Sequence, residues 1–455
     1  MSDIVSGSPR ISRAHAFIRS HNGLGAANDL HQKYDTADAV VLGRGSCGSV
    51  VAVRHRQTED MFAMKVVNVE TMGGSLRELK QELDIQSQLD HPNIAKVFES
   101  YIDEENGEMA IIMEMCTGGS LVQRVCESDH GFDERAAATL VEKILSATIY
   151  CHHHGVVHRD IKLDNFIYEN ESSESELKLI DFGFACEIQS GGEEAMWDRL
   201  GSPSYMAPEL YDEGTIYDSS VDMWAIGVVA YMLLSGKRPF HHADPRVKAD
   251  QIRNDPLRFS ERQWEHVSDD AKDFCLQLMQ KRPRDRLSAT AARDHRWIQH
   301  TSSVHAIADA SHGRFQRRFQ SVSVIQSLNA FTEADDLKKL ALEVIAFSTP
   351  PSKLKELREM FVKIDVDDSG TLSLDEFKAA MALHPDVPQD RVEQIFNTMD
   401  HEGSGEVDYS MFLSAMLGRR RSLVSNTNSI MAAFTTLDTD GASLMPSRPG
   451  HPVLT

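Results

Sequence analysis

The sequence predicts an α+β chain in two consecutive lobes, the first β-rich and the second helical, followed by an all-α module. Three stretches carry that prediction. Val40 to Val53 reads as β-branched strand, glycine-rich turn and second strand; Glu134 to His153 sets Leu140, Ile144, Leu145 and Ile149 on one helical stripe; and an acidic loop at 365–376 lies between two further apolar stripes. At 455 residues the chain is too long for one core, and a prior near one domain per ~150 residues suggests two or three.

Charge narrows the function classes. Forty-seven Lys and Arg against 69 Asp and Glu give a formal charge of −22, which argues against a nucleic-acid or anionic-membrane binder. The six cysteines, at 47, 116, 126, 151, 186 and 275, show neither paired metal spacing nor a secreted framework, so reduced thiols in a cytoplasmic protein are expected, with nuclear access open. The longest apolar run, Ala225 to Leu234, is too short to span a bilayer, no signal peptide opens the chain, and Ser2 denies the glycine that myristoylation needs. No lipid anchor is expected.

The densest chemistry is His158-Arg159-Asp160-Ile161-Lys162-Leu163-Asp164-Asn165, followed by Asp181-Phe182-Gly183 and Ala207-Pro208-Glu209. Phosphoryl transfer needs a carboxylate at the accepting hydroxyl and two further ligands for Mg²⁺; Asp160 supplies the first, Asn165 and Asp181 the second. Upstream, Leu42, Gly43, Arg44, Gly45, Ser46, Cys47, Gly48, Ser49 and Val50 form a glycine-rich turn whose backbone amides could close over the phosphates of ATP. A dinucleotide fingerprint opens a helix, whereas this one returns into a strand and leads to Lys65, placed to hold the α- and β-phosphates. A helix expected over 75–89 sets Glu82 where it could aim that ammonium; taken alone, Glu82 reads as a solvated helix carboxylate. Cys151-His152-His153-His154 reads as a polar helix end, because ligands adjacent in sequence point in different directions. The acidic serine run from 169 to 176 reads as a solvated loop.

With Asp222-Met223-Trp224-Ala225-Ile226-Gly227 and Arg286 added, residues 34–298 resemble a eukaryotic protein kinase. The resemblance implies the bilobal kinase fold and a Ser/Thr type of catalytic loop in which Lys162 joins Asp160, Asn165 and Asp181. It makes Ile111 to Cys116 the strand leading to the interlobe connector, with Met113 at the back of the adenine pocket and Glu114 and Cys116 offering backbone groups. Asp222 would brace the catalytic loop, and Arg286 would form a buried ion pair with Glu209. In such kinases the Arg before the catalytic Asp, here Arg159, waits for a negative group on the activation segment. Glu193, Glu194 and Asp198 already stand there, so control is expected elsewhere.

It is expected downstream. Arg314, Phe315, Arg317, Arg318, Phe319, Val322 and Ile325 form a basic amphipathic pattern in an acidic chain, an ordinary surface helix alone but a target for a calmodulin-like lobe in this context. A second stripe, Leu337, Leu340, Val344 and Phe347, follows. Asp365, Asp367, Ser369, the Thr371 carbonyl, Ser373 through a water and bidentate Glu376 then fall at positions 1, 3, 5, 7, 9 and 12 of a calcium-binding EF-hand loop, with Gly370 at the sharp turn. A second loop, with Asp400, Glu402, Ser404, Gly405, Glu406 and Asp408, has Met411 at position 12, so weak or no Ca²⁺ binding is expected there, although Val407 can pair with Leu372. A third beginning at 438–441 fails.

Kinase, basic junction and EF-hands in this order resemble the calcium-dependent protein kinases of plants and protists, with domains expected as a flexible leader 1–33, kinase 34–298, autoinhibitory junction 299–350, EF-hand pair 351–418 and tail 419–455. The resemblance implies ATP, Mg²⁺ and Ca²⁺ as cofactors, transfer of the ATP γ-phosphoryl to protein Ser or Thr, and an intramolecular EF-hand to junction contact that relieves autoinhibition. Relatives usually carry four EF-hands. Many also place a Glu that reads a substrate Arg where this chain has Ser120, and Lys237-Arg238 adds positive charge nearby; Asp164 still offers one carboxylate, so substrates near basic residues are expected. Two other readings stay open: an active kinase that no longer answers to Ca²⁺, and a catalytically silent Ca²⁺-binding scaffold.

Overall fold

The computed structural model describes residues 25–45, 48–68, 76–103, 106–127, 131–172, 175–187, 201–212, 216–259, 262–301, 319, 322–401 and 403–418. The first lobe is a six-stranded sheet ordered β1-β5-β6-β4-β3-β2, with β1 Gly25–Ala26, β2 Tyr34–Gly45, β3 Gly48–His55, β4 Met61–Asn68, β5 Val97–Asp103 and β6 Glu108–Met113. Its apolar residues interlock edge to face: Tyr34 against Phe62 and Tyr101, and Phe62 against Phe98.

The leader enters this lobe earlier than expected. Residues 25–33 are a short strand parallel to β5 and a helix, Ala27–Lys33, anchored by buried Leu30 and by the Lys33–Glu99 ion pair at 3.2 Å. Backbone pairing and a single apolar anchor leave no periodicity, which is why residues 1–33 read as featureless.

The second lobe is built on two helices. Glu134–His153 starts at Asp133, whose side chain accepts a hydrogen bond from the Ala136 amide at 3.1 Å. Ser220–Ser235 is buried from Val221 to Ser235 and ends at Gly236 in the left-handed conformation (φ 70°). The apolar run at 225–234 is therefore the centre of a lobe, surrounded on every side. No helix among the described residues is long and apolar enough to cross a membrane.

The C-terminal module pairs two helix–loop–helix units, Lys355–Ile364 with Leu374–Met381 and Gln389–Met399 with Tyr409–Leu417. Their loops are joined by a two-stranded ladder in which Leu372 faces Val407. Two further helices, Val322–Thr332 and Asp336–Ser348, pack against Tyr409–Leu417. The second uses the expected stripe except at its start: Leu340 packs on the core and Val344 and Phe347 are buried, Leu337 is exposed, and Leu342, Ile345 and Ala346 are buried besides. Covered by the module on one side and by the sheet on another, it buries more than one face. Phe347 meets Phe98 edge to face, and one apolar cluster runs from Tyr34, Phe62 and Phe98 through Phe347 to Leu354 and Phe361. The module and the first lobe share a core.

Candidate active site and calcium loop

The catalytic loop is held from below by one carboxylate. Asp222 accepts hydrogen bonds from the backbone amides of His158 (3.0 Å) and Arg159 (2.8 Å), and His152 Nε2 meets it at 2.9 Å. Burial alone would raise the Asp222 pKa; the hydrogen bond and charge of His152, then His158, outweigh it and hold the carboxyl below its usual range. His152 is thus more than a polar helix end, and His154 packs on the Tyr150 ring.

On this support stands Asp160, almost wholly buried. Its Oδ2 receives Lys162 Nζ at 2.5 Å, and its Oδ1 accepts the Ser202 amide at 2.9 Å, while Lys162 Nζ also donates to Ser202 Oγ at 3.1 Å. Asn165 donates its Nδ2 to the Asp160 carbonyl at 2.9 Å, so its amide oxygen is the atom left for metal ligation. Ser202, which bonds to both Asp160 and Lys162, is a residue that the motifs do not include. Its one local signal is Gly201, where φ is 107° and an added Cβ would come 2.8 Å from the Arg159 carbonyl oxygen.

The nucleotide side is organised by strand register. Gly45 pairs with Gly48 across the glycine-rich turn, and Val50 lies opposite Lys65 in the neighbouring strand, which sets the ammonium beneath that turn. Gly48 is obligatory: φ is 141°, and a Cβ would fall 1.9 Å from the Val66 carbonyl oxygen. Lys65 Nζ lies 3.3 Å from Asp181 Oδ1. Burial pushes Asp181 up, but the charge and hydrogen bond of Lys65, with the charges of His158 and Lys162, together hold its pKa below the usual value, so it is the anionic carboxylate that a Mg²⁺ ligand would have to be. Phe182, fully buried, packs on His158 at 4.8 Å. Ser46, Cys47, Glu193, Glu194 and Asp198, and the side chains of Arg44 and Glu82, lie outside the described residues; the Glu82 backbone is in the helix Leu76–Gln88.

Met113 ends β6, Glu114 is buried with Lys178 at 2.8 Å, and burial pushes the Cys116 thiol up, which makes Cys116 a packing group. Arg286 grips Glu209 through two bonds of 2.6 Å. Arg159 Nε donates to the Phe184 carbonyl at 2.5 Å and Nη1 reaches Tyr217 Oη at 3.3 Å, a tyrosine that no motif singled out.

The loop at 365–376 fits a hard divalent cation. Ligand oxygens of Asp365, Asp367 and Glu376 lie within 4.8 Å of one another. Asp365 accepts the amides of Ser369 (3.1 Å) and Gly370 (3.0 Å), Ser369 Oγ lies 3.2 Å from the Thr371 carbonyl oxygen, and Ser373 caps the following helix, its Oγ 2.8 Å from Glu376 Oε2. Burial, then the Asp368 charge, push Asp365 up to about 9, a repulsion that a bound cation would relieve. In the second loop Asp400 accepts the Ser404 and Gly405 amides at 2.8 and 2.7 Å, but position 12, Met411, is buried in the apolar core. Glu402 lies outside the described residues, as does the third, failed beginning at 438–441.

Comparison with known proteins agrees with this geometry. A protein kinase domain profile matches residues 37–298, and an EF-hand domain pair profile matches residues 354–417. Calcium-dependent protein kinase 33 of Arabidopsis thaliana is 31% identical over 427 residues, covering 92% of this chain and 78% of that protein. The chain belongs to the calcium-dependent protein kinases. Calcium-dependent protein kinase 21 of Arabidopsis thaliana (30% identical; 88% of this chain, 72% of the relative) and calcium-dependent protein kinase 11 of Oryza sativa subsp. japonica (31%; 88% and 67%) share the same extent. It is a calcium-regulated serine/threonine protein kinase that works with ATP and Mg²⁺, and Ca²⁺ is the ligand of its EF-hand pair.

Proposed function

We propose that this kinase phosphorylates Ser or Thr near basic side chains in cytoplasmic proteins, and that Ca²⁺ at Asp365–Glu376 keeps the junction inside the EF-hand module and away from the catalytic cleft. In the reaction the substrate hydroxyl oxygen bonds to the γ-phosphorus of ATP, the bond to the β–γ bridging oxygen breaks to release ADP, and Asp160 takes the hydroxyl proton. Lys162 and the Ser202 amide keep Asp160 aimed.

The observation that carries the regulatory part is the seat of the junction. Val322–Thr332 and Asp336–Ser348 pack on Tyr409–Leu417, Phe319 is buried, and His384 Nε2 lies 2.7 Å from the Phe319 carbonyl oxygen. Arg314, Phe315, Arg317 and Arg318 lie outside the described residues. The substrate part rests on Asp164, exposed beside the catalytic loop. Ser120 is used as a helix cap, its Oγ accepting the Gln123 amide while Gln123 Oε1 accepts the Ser120 amide. One carboxylate then reads the basic group.

The test is phosphorylation of a peptide with an Arg upstream of its Ser, and of its Arg-free counterpart, with Ca²⁺ and with chelator. The expected result is a rate that rises with Ca²⁺ and favours the Arg peptide. A rate indifferent to Ca²⁺ would overturn the regulatory part, equal use of both peptides the substrate part, and no transfer at all the catalytic part.

A further inference from the structure

The calcium loop has two sides. Positions 1, 3 and 12, Asp365, Asp367 and Glu376, bring their carboxylate oxygens within 4.8 Å of one another, whereas positions 2, 4 and 6, Val366, Asp368 and Gly370, meet the kinase domain. Arg293, the last residue of the helix Ala289–Arg293, brings its Nε to 2.7 Å from Asp368 Oδ2, with the two side chains 11% and 17% exposed. Its Nη2 donates to the Val366 carbonyl. Gly370 lies flat on the end of the long kinase helix: an added Cβ would come 2.2 Å from Tyr150 Cδ2 and 2.9 Å from His91 Cδ2.

Asp368 has φ 50°, and the equivalent position of the second loop, Gly403, has φ 67°, so this left-handed turn belongs to the loop and a short acidic side chain tolerates it. What holds the Asp368 side chain belongs to another domain. Because positions 2 and 4 are not side-chain ligand positions, Arg293 can grip them without taking an oxygen from the cation.

We propose that Arg293 is a positioning residue of the calcium site, by which the kinase domain holds the loop in its cation-binding shape, so that Ca²⁺ binding and docking of the loop on the helical lobe strengthen each other. The inference rests on the reading of 365–376 as the calcium loop. Affinity is diagnostic because two effects of opposite sign compete. Deleting a positive charge near a cation site tightens the site by Coulomb's law. Deleting the grip loosens it, since the free loop must then lose its own conformational freedom on binding.

The experiment is calorimetric Ca²⁺ titration of the full chain as wild type, Arg293→Ala, Arg293→Met, Arg293→Glu and the swap Arg293→Glu with Asp368→Arg. ATP-induced thermal shifts check that each variant is folded. Arg293→Ala is expected to weaken Ca²⁺ binding at least about fivefold, the low end of intersite coupling. Arg293→Glu should weaken it further, and the swap should recover most of that loss. Unchanged or tighter binding in Arg293→Ala, or a swap no better than Arg293→Glu alone, overturns the role of Arg293. If Arg293→Ala does not fold, Arg293→Met, which removes the same guanidinium but keeps an apolar stem in its place, decides by the same criterion. A wild-type chain that takes up no Ca²⁺ overturns the reading of the loop itself, and the proposal with it.

Discussion

Arg358, on the first helix of the EF-hand pair, and Glu169, in the kinase domain, form an ion pair at 2.9 Å with side chains only 4% and 7% exposed. Burial alone would lower the Arg358 pKa, but Glu176 and Glu169 outweigh it and raise it further. Within the same region Lys96, which pairs with Asp90 at 3.0 Å, stands over the Phe347 ring at 4.2 Å. The EF-hand module is seated on the kinase through desolvated charge as well as through a shared apolar cluster.

Removing one partner of such a pair leaves the other charged and out of water. Arg358→Ala is expected to cost about 3–5 kcal/mol, because Glu169 loses the partner that offset its desolvation. Equilibrium urea unfolding of the full chain measures this, and a loss below about 1 kcal/mol would show that water enters the site freely.

The catalytic carboxylate and its brace should separate in kinetics. Asp160→Asn is expected to lower kcat by about 10²–10⁴, since no group then takes the hydroxyl proton. Ser202→Ala keeps the backbone amide on Asp160 but removes the hydroxyl that receives Lys162; a loss of roughly tenfold in kcat, with ATP affinity unchanged, is expected for one hydrogen bond made at the reacting centre. Steady-state kinetics on a peptide substrate, together with nucleotide titration, distinguish these outcomes.

His91 predicts an acid limb. Its Nδ1 accepts the Asn93 amide at 3.0 Å and its Nε2 lies 3.2 Å from Ser146 Oγ, while burial first and the Lys178 charge next lower its pKa to about 3. An unfolded His titrates near ~6.5, so between about 6.5 and 3 the unfolded state binds the extra proton. The contribution is therefore complete above about 6.5 and is lost as pH falls toward 3, with a slope approaching ~1.4 kcal/mol per pH unit. Chemical denaturation from pH 7.5 down to 5 should show that slope in the wild type and a shallower one in His91→Gln; identical slopes would assign the acid limb to other groups.

Calcium control should hinge on one side chain. Glu376 accepts the Val366 amide at 2.7 Å with one oxygen and the Ser373 amide at 2.9 Å with the other, which orients both for a bidentate contact. Glu376→Gln is expected to abolish calcium stimulation of peptide phosphorylation and leave activity in chelator unchanged. Met411, buried where the second loop would need its carboxylate, makes compensation by that loop unavailable.

What the sequence by itself determined is local in chain or carried by spacing. The ligand positions from Asp365 to Glu376 lie within one loop, so their order along the chain dictates which oxygens converge, and Leu372 facing Val407 follows from the same numbering. The glycine-rich turn, Lys65, Asp160, Asn165 and Asp181 could be singled out because phosphoryl transfer demands particular groups in a recognisable series, and the fold sets Lys65 beside Asp181 and Asn165 beside Asp160.

Tertiary structure alone decided what joins distant segments. Ser202 under Asp160, His152 on Asp222, Tyr217 on Arg159, Glu169 with Arg358 and Asp368 with Arg293 are pairings between residues with no periodic relation, chosen by which surfaces the fold presses together. The short strand at Gly25–Ala26 was hidden for a related reason, since backbone hydrogen bonds hold it and leave little trace in side-chain pattern. A loop that reads as a self-contained cation site proved to have its other side resting on the kinase, because a twelve-residue segment shows its ligands in sequence but not its neighbours.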